Sequence, residues 1–283
     1  MKFTFFGTDE FAAIILDELK LEGYTPSLII CSPDKPLRRN KGFVSPATKA
    51  WAEKYGIPIF QPISLDQEAI NTIKESSATD FFVVASYGLI IPQTVLDIPE
   101  HGTLNVHPSL LPHYRGASPI ETAILENSKD TGVTIMEMDS KMDHGPIVAQ
   151  TPYSFTEWSN RIEARDVLAH LGGKTLADGI SGWIHKTTIA VEQNHADATF
   201  TKLLTKSDAE LDLDSEDQAG LYRRFLAFEG WIQPYFFIKK DEQEIRVIVK
   251  EAQFDEETQK FVPLRIVPEG KKEIEWETFK KNL

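Results

Sequence analysis

KFTFFGTDEFAAIILDELKLEGYTPSLIIC, residues Lys2–Cys31, sets the class of fold. Lys2–Phe6 is a short β-rich run, and the GTDEF turn leads it into a helix over Glu10–Leu21. Asp9 can cap that helix, and Ile14, Ile15 and Leu19 give it an apolar stripe. Gly23 stops it, and Pro26–Cys31 reads as a second buried strand. Strand, glycine turn, helix and strand form a βαβ unit, which places its two strands parallel in one sheet. GTDEF lacks the further glycines of a dinucleotide fingerprint, which argues against NAD binding.

The pattern repeats downstream. A helix runs from near Ser45 to Tyr55-Gly56, IPIFQP is a short strand-like run, and Leu65–Lys74 is a second amphipathic helix. Thr79–Ala85, TDFFVVA, is a continuous apolar run of the kind found in a central parallel strand. LNVHPSLLPHYRGASPI, Leu104–Ile120, then reads as a buried strand that ends where polar chemistry begins. Asn105 and His107 are two apart, so on an extended backbone both leave one face while Leu104 and Val106 fill the other. Pro108 cannot donate to a strand ladder and stops the strand. An amide and an imidazole at the carboxyl end of such a strand stand where α/β sheets place ligands.

At 283 residues the chain accommodates one large or two smaller domains with a sizeable core. A hydrophobic content of 41% with 26% charged residues is ordinary for a soluble globular protein. The single cysteine, Cys31, excludes an internal disulfide and follows the apolar run SLII, so it reads as a core residue. The first residues carry too short an apolar run for a signal peptide, and no stretch approaches the ~20 residues of a membrane span. A cytoplasmic protein is expected. The formal charge of −13 argues against a broad nucleic-acid-binding face, so any RNA partner must be met by a local basic patch.

NVHPSLLPHYRGASPI, followed by DTGVTIMEMDSKMDHGPIV, resembles the signature of the folate-dependent formyltransferases, with Asn105, His107 and Asp143 in the family's order. The resemblance covers nearly the whole chain and includes GTDEF, the Trp231–Pro234 region and the VPEGKKEIEWETF tail. It implies a Rossmann-like α/β catalytic domain with a parallel-rich sheet over residues 1–199. A shortened β-rich, OB-like barrel domain over 200–283 would follow. It also implies 10-formyltetrahydrofolate as co-substrate, no metal, and catalysis by Asn105, His107 and Asp143. Folate contacts would come from Ser109, Leu110, Leu111 and Pro112 and from the backbone around Leu89 and Ile91. The acceptor would be the amino group of initiator methionyl-tRNA, in the tRNA-directed branch, and a monomer is expected. A nucleotide-linked amino sugar is the alternative acceptor.

The chemistry asks for these side chains. Moving a formyl group from a folate nitrogen to an amine passes through a tetrahedral centre bearing an oxyanion. Asn105 and the His107 imidazole can donate to that oxygen. Asp143, in a turn punctuated by Gly145 and Pro146, can orient the imidazole and help carry the amine's proton. No His, Cys and carboxylate cluster occurs at metal-ligand spacing. His101, His113 and His144 read as surface or loop residues. Downstream, Gly132–Met138 and Ile147–Tyr153 read as strands. Ser159–Lys186 reads as a long helix weakened at Gly172-Gly173.

Lys35, Arg38, Arg39 and Lys41 put four cations within seven residues of an acidic chain, the last three between Pro36 and Pro46 and so in a loop. The resemblance assigns this loop to the acceptor stem of tRNA. Four phosphate contacts predict that affinity falls with salt with a log–log slope of about −3. Replacing Arg38 and Arg39 together by Ala is expected to flatten the slope measured for tRNA binding by about 1.5–2. An unchanged slope would place the docking surface elsewhere.

Overall fold

The apolar run Lys2–Phe6 and the stripe after Asp9 fold as their spacing requires. The computed structural model describes residues 1–36, 42–76, 79–240 and 243–281. β1 (Phe3–Phe6), α1 (Glu10–Leu21) and β2 (Leu28–Ile30) form the βαβ unit, with Thr4 opposite Leu28 and Phe6 opposite Ile30 in a parallel pair. The Ala12 backbone N–H donates to Asp9 Oδ1 at 3.3 Å and so caps α1. Gly7 is required at the turn: a Cβ there would stand 2.7 Å from both Ala12 Cβ and the Ala85 carbonyl oxygen.

Helices α2 (Ala47–Tyr55) and α3 (Gln67–Ser76) alternate with β3 (Ile59–Phe60), β4 (Phe81–Val84) and β5 (Thr103–His107). β6 (Asp130–Glu137) and β7 (Ile147–Ser154) complete a seven-stranded sheet in the order β7-β6-β5-β4-β1-β2-β3. β1 to β5 pair in parallel. β6 runs antiparallel to β5, with His107 opposite Thr134.

Helices cover both faces of this sheet, which is why its central strands are apolar throughout. On one face Phe6, Phe82 and Val84 pack with Ile70 and Ile73 of α3. On the other, Phe3 stacks on Phe81 with ring centroids 5.3 Å apart. Trp183 sets its edge against Phe81 there.

Trp183 belongs to the long helix over Arg161–Ile184. That helix is unbroken at Gly172-Gly173, contrary to the weakness expected of a glycine pair. The glycines instead let it approach closely: a Cβ on Gly172 would lie 2.8 Å from Val106 Cγ1, and one on Gly173 only 2.4 Å from Glu18 Cβ.

Contacts divide the chain into two units. The first holds residues 1–116, 131–153 and 165–200 and contains the large sheet. The second holds 117–130, 154–164 and 201–283. A chain-order cut after residue 199 would leave 117–130 and 154–164 on the other side of the division.

In the second unit, β8 (Tyr235–Lys240), β9 (Gln243–Asp255), β10 (Lys260–Pro268) and β11 (Ile274–Glu275) form an antiparallel sheet in chain order. The register slips at Glu251, where strand alternation alone predicts an unbroken ladder. The helices Pro119–Leu125 and Gln218–Phe228 belong to this unit, and Tyr222, Phe225, Phe254, Phe261 and Trp158 form an aromatic cluster. Among the described residues the pairings give a four-stranded sheet without barrel closure. No described helix is long and apolar enough to cross a membrane.

Replacing Gly173 by Ala tests the close approach. Helix propensity alone would stabilise by about 1 kcal/mol. Overpacking costs about 1–3 kcal/mol, and here the new methyl meets Glu18 Cβ and, at 3.3 Å, the Ile15 carbonyl oxygen, neither of which can rotate away. The clash is expected to win, lowering the Tm read by circular dichroism by a few degrees. A raised Tm would show that the helix stands off α1.

Candidate active site

β5 delivers two polar side chains at its carboxyl end, because Pro108 ends the strand directly after His107. Asn105 and His107 are both buried, at 9% and 4% exposure. Asn105 lies opposite Val84 on one side and Met136 on the other, in the middle of the sheet. Its carboxamide forms no side-chain hydrogen bond with any described residue. The carboxamide keeps a small opening, through which a ligand can reach it.

His107 Nε2 lies 2.9 Å from the Tyr114 carbonyl oxygen. A carbonyl only accepts, so Nε2 carries a proton and the ring turns Nδ1 toward Asp143. Nδ1 stands 3.7 Å from Asp143 Oδ1, within ion-pair range yet longer than a hydrogen bond. The other carboxylate oxygen, Oδ2, accepts from the Gly116 backbone N–H at 2.7 Å.

Asp143 reaches this position from a constrained turn. Its φ is +47°, in the left-handed region that favours glycine. Two residues on, a Cβ at Gly145 would lie 1.9 Å from the Glu137 carbonyl oxygen, so only glycine fits. The expected trio therefore converges on one strand end: two members on β5, the third brought to His107 from the turn that links β6 and β7.

The segment after His107 is tied down by its own polar atoms. Ser109 Oγ donates to the His113 carbonyl at 2.6 Å, and Thr134 Oγ1 donates to the Ser109 carbonyl at 2.6 Å. The Leu111 N–H donates to Thr134 Oγ1 at 3.0 Å, and Gln150 Nε2 to the Leu111 carbonyl at 2.9 Å. Leu111 is buried, whereas Leu110 and Pro112 are partly open. At the end of β4, Leu89 is exposed, but the Ile91 side chain belongs to the core beside Phe6, Val84 and Tyr87. Any ligand contact at Ile91 falls to its backbone.

Several residues escaped sequence reasoning. Arg115 is 3% exposed and donates to Gln193, which in turn donates to the carbonyls of Asp143 and Gly145. His144 is not a plain loop residue: its Nδ1 pairs with Asp139 Oδ2 at 2.7 Å and its ring stacks on His195, centroids 4.0 Å apart. Gln193 and His195 lie far along the chain in a segment with no helical or strand periodicity, so nothing local marks them.

The basic segment is placed in part. Lys35-Pro36 pairs antiparallel with Phe43-Val44, a two-residue ribbon where the sequence suggests only loop. Lys35 is exposed, and Arg38, Arg39 and Lys41 lie outside the described residues. Among the described residues no three His, Cys, Asp or Glu side chains gather as metal ligands. A cavity of about 480 Å³ lies before the amino end of β5, away from His107, lined by residues that include His101, Glu137 and Trp183. Burial pushes the Glu137 carboxyl up there.

Residues 1–180 match the family profile described as formyl transferase. A methionyl-tRNA formyltransferase of Marinobacter nauticus is 36% identical over 249 residues, 87% of this chain and 78% of the relative. That of Nitrosomonas eutropha is 35% identical over 232 residues, 81% of this chain and 73% of the relative. Among solved structures, a sugar N-formyltransferase from a Shewanella species superposes with a TM-score of 0.65 at 17% identity, over 86% of this chain and 95% of that one. The last is a likeness of fold alone.

The stacked histidines predict a pH dependence of stability. His195 is held below the ordinary histidine range by desolvation of its ring, then by the neighbouring His144 and Arg115. Its folded state favours the neutral ring. The contribution is therefore full above about pH 6.5, the unfolded value, and is lost as the pH falls through the lower folded value. The Tm of the wild type is expected to fall more steeply between neutral pH and about pH 5 than that of His195→Asn. Parallel curves would exclude His195 as the titrating group.

Proposed function

This chain belongs to the formyl transferase family, and from that premise we propose that it transfers a formyl group to the amino group of initiator methionyl-tRNA for translation initiation. We infer 10-formyltetrahydrofolate as the donor, a co-substrate that supplies its one carbon already at the formyl oxidation level. The acceptor rests on the relatives, which carry the name methionyl-tRNA formyltransferase at 35–36% identity. The chemistry rests on one observation: a mostly covered Asn105, whose carboxamide bonds no described side chain, shares a strand end with an imidazole that faces a carboxylate.

Asn105 Nδ2 has the role of donor to the formyl oxygen as the amine adds and negative charge builds there. His107 Nδ1 is not committed to a hydrogen bond, so a proton held there serves the same oxygen while Asp143 balances the charge. Over the whole reaction the amine nitrogen loses one proton and the departing folate nitrogen gains one. His107 and Asp143 are the groups assigned to carry it. Tyr114 fixes the orientation of the ring through Nε2. The partly open Leu110 and Pro112, the exposed Leu89 and the backbone of Ser109, Leu111 and Ile91 are assigned to the folate. Residues 1–199 are proposed as the catalytic domain. Residues 200–283, together with Lys35, Arg38, Arg39 and Lys41, are assigned to the tRNA, and acting on tRNA places the enzyme in the cytoplasm.

The assay is formation of formyl-methionyl-tRNA from 10-formyltetrahydrofolate and charged initiator tRNA. His107→Ala is expected to lower turnover by about 10²–10³-fold, the loss typical of one oxyanion donor. Asp143→Asn is expected to be similarly damaging, with the fold retained in both. Near wild-type rates for His107→Ala would remove the trio from the mechanism. Formylation of a nucleotide-linked amino sugar, with none of the tRNA, would reassign the acceptor.

A further inference from the structure

Gln193 takes no part in the chemistry assigned above, yet its amide is bonded on both sides next to Asp143. It is 5% exposed. Its Oε1 accepts from Arg115 Nη2 at 2.6 Å and from Arg115 Nε at 3.2 Å. Its Nε2 donates to the Asp143 carbonyl at 3.0 Å and to the Gly145 carbonyl at 2.7 Å. An amide whose oxygen receives two guanidinium donors cannot be turned over, because the reversed amide would set N–H against N–H. Arg115 is itself fixed, since Nη2 also bonds His195 Nδ1 at 2.9 Å. Its neighbours in the chain touch the catalytic groups directly: Tyr114 through His107 Nε2 and Gly116 through Asp143 Oδ2.

We propose that Gln193, aimed by Arg115, is a positioning residue for the Asp143 carboxylate. The inference rests on the formyl-transfer reading. Asp143 sits at a φ of +47°, a left-handed conformation that aspartate tolerates better than most residues but that still competes with ordinary backbone angles. The two bonds from Gln193 Nε2 impose it from the carbonyl side. The Gly116 N–H restrains the carboxylate from the other. Without the Gln193 bonds the peptide relaxes toward ordinary backbone angles and the carboxylate swings away from His107.

Two variants of the full-length protein separate this role from a merely structural one. Gln193→Glu keeps an acceptor for Arg115 but turns a carboxylate oxygen toward the Asp143 and Gly145 carbonyls. Gln193→Met removes both sets of bonds at similar size. Steady-state formylation of methionyl-tRNA is expected to show kcat lowered by up to about 10²-fold in both, the scale of a 1 Å misplacement. KM for tRNA and for folate should stay near wild type, and Gln193→Glu, which keeps its pairing with Arg115, should remain folded by circular dichroism at the assay temperature. Placed on Asp143→Asn, Gln193→Glu should cost little more, since both act on one group.

If Gln193→Glu turns over at the wild-type rate, Gln193 only satisfies Arg115 and the inference is overturned. The same conclusion follows if the losses multiply in the double variant. A wild-type protein that leaves methionyl-tRNA unformylated overturns the underlying reading instead. Should Gln193→Met fail to fold, Gln193→Glu alone decides.

Discussion

Asp143 comes within ion-pair range of His107 because the turn that carries it takes a left-handed backbone and a close approach that few residue types accept. The left-handed backbone at Asp143, the missing side chain at Gly145 and the Gly116 N–H on Oδ2 all serve one placement. β6 makes it geometrically possible. It runs antiparallel to β5 with Glu137 opposite Leu104, and the turn that joins it to β7 carries Asp143 back to His107. The turn is held by the hydrogen bonds that Gln193 donates to its Asp143 and Gly145 carbonyls.

His107 has its own support in the packing behind it. Val106, between Asn105 and His107, faces the long Arg161–Ile184 helix at a point where only glycine fits. The aromatic stack of Phe3, Phe81 and Trp183 holds the same helix to the sheet. A strand apolar on one face and polar on the other has few ways to shift register, because a slip of one residue would exchange Leu104 and Val106 with Asn105 and His107 between the two sides of the sheet. The rigidity of the site therefore comes from apolar packing, and the polar groups add direction.

Charge is distributed differently from chemistry. The chain is acidic overall, at −13, and residues 200–283 carry 14 Lys and Arg against 18 Asp and Glu. An RNA substrate on such a background has to be met by a dense local cluster, and Lys35–Lys41 is the densest in the sequence. Close to His107 in the chain, Arg115 is buried and bonded to Gln193 and His195, so it acts through the backbone it orders.

The sequence by itself determined the sheet. Apolar runs at Phe3–Phe6 and Phe81–Val84, glycine turns and capped amphipathic helices are local signals, and each is set by residues close in the chain. It also marked Asn105, His107 and Asp143, the first two because a period of two puts them on one strand face. What only the tertiary structure decided was how these groups are held. The bond from Gly116 to Asp143, the bonds from Arg115 through Gln193 to the Asp143 turn and the stacking of His144 on His195 join residues tens of positions apart, and no periodicity records such a meeting. Gly172-Gly173 shows the same limit from the other side. Propensity counts a glycine pair as weakness in a helix, and only the neighbouring Val106 and Glu18 reveal that the missing side chains are what allow the helix to pack.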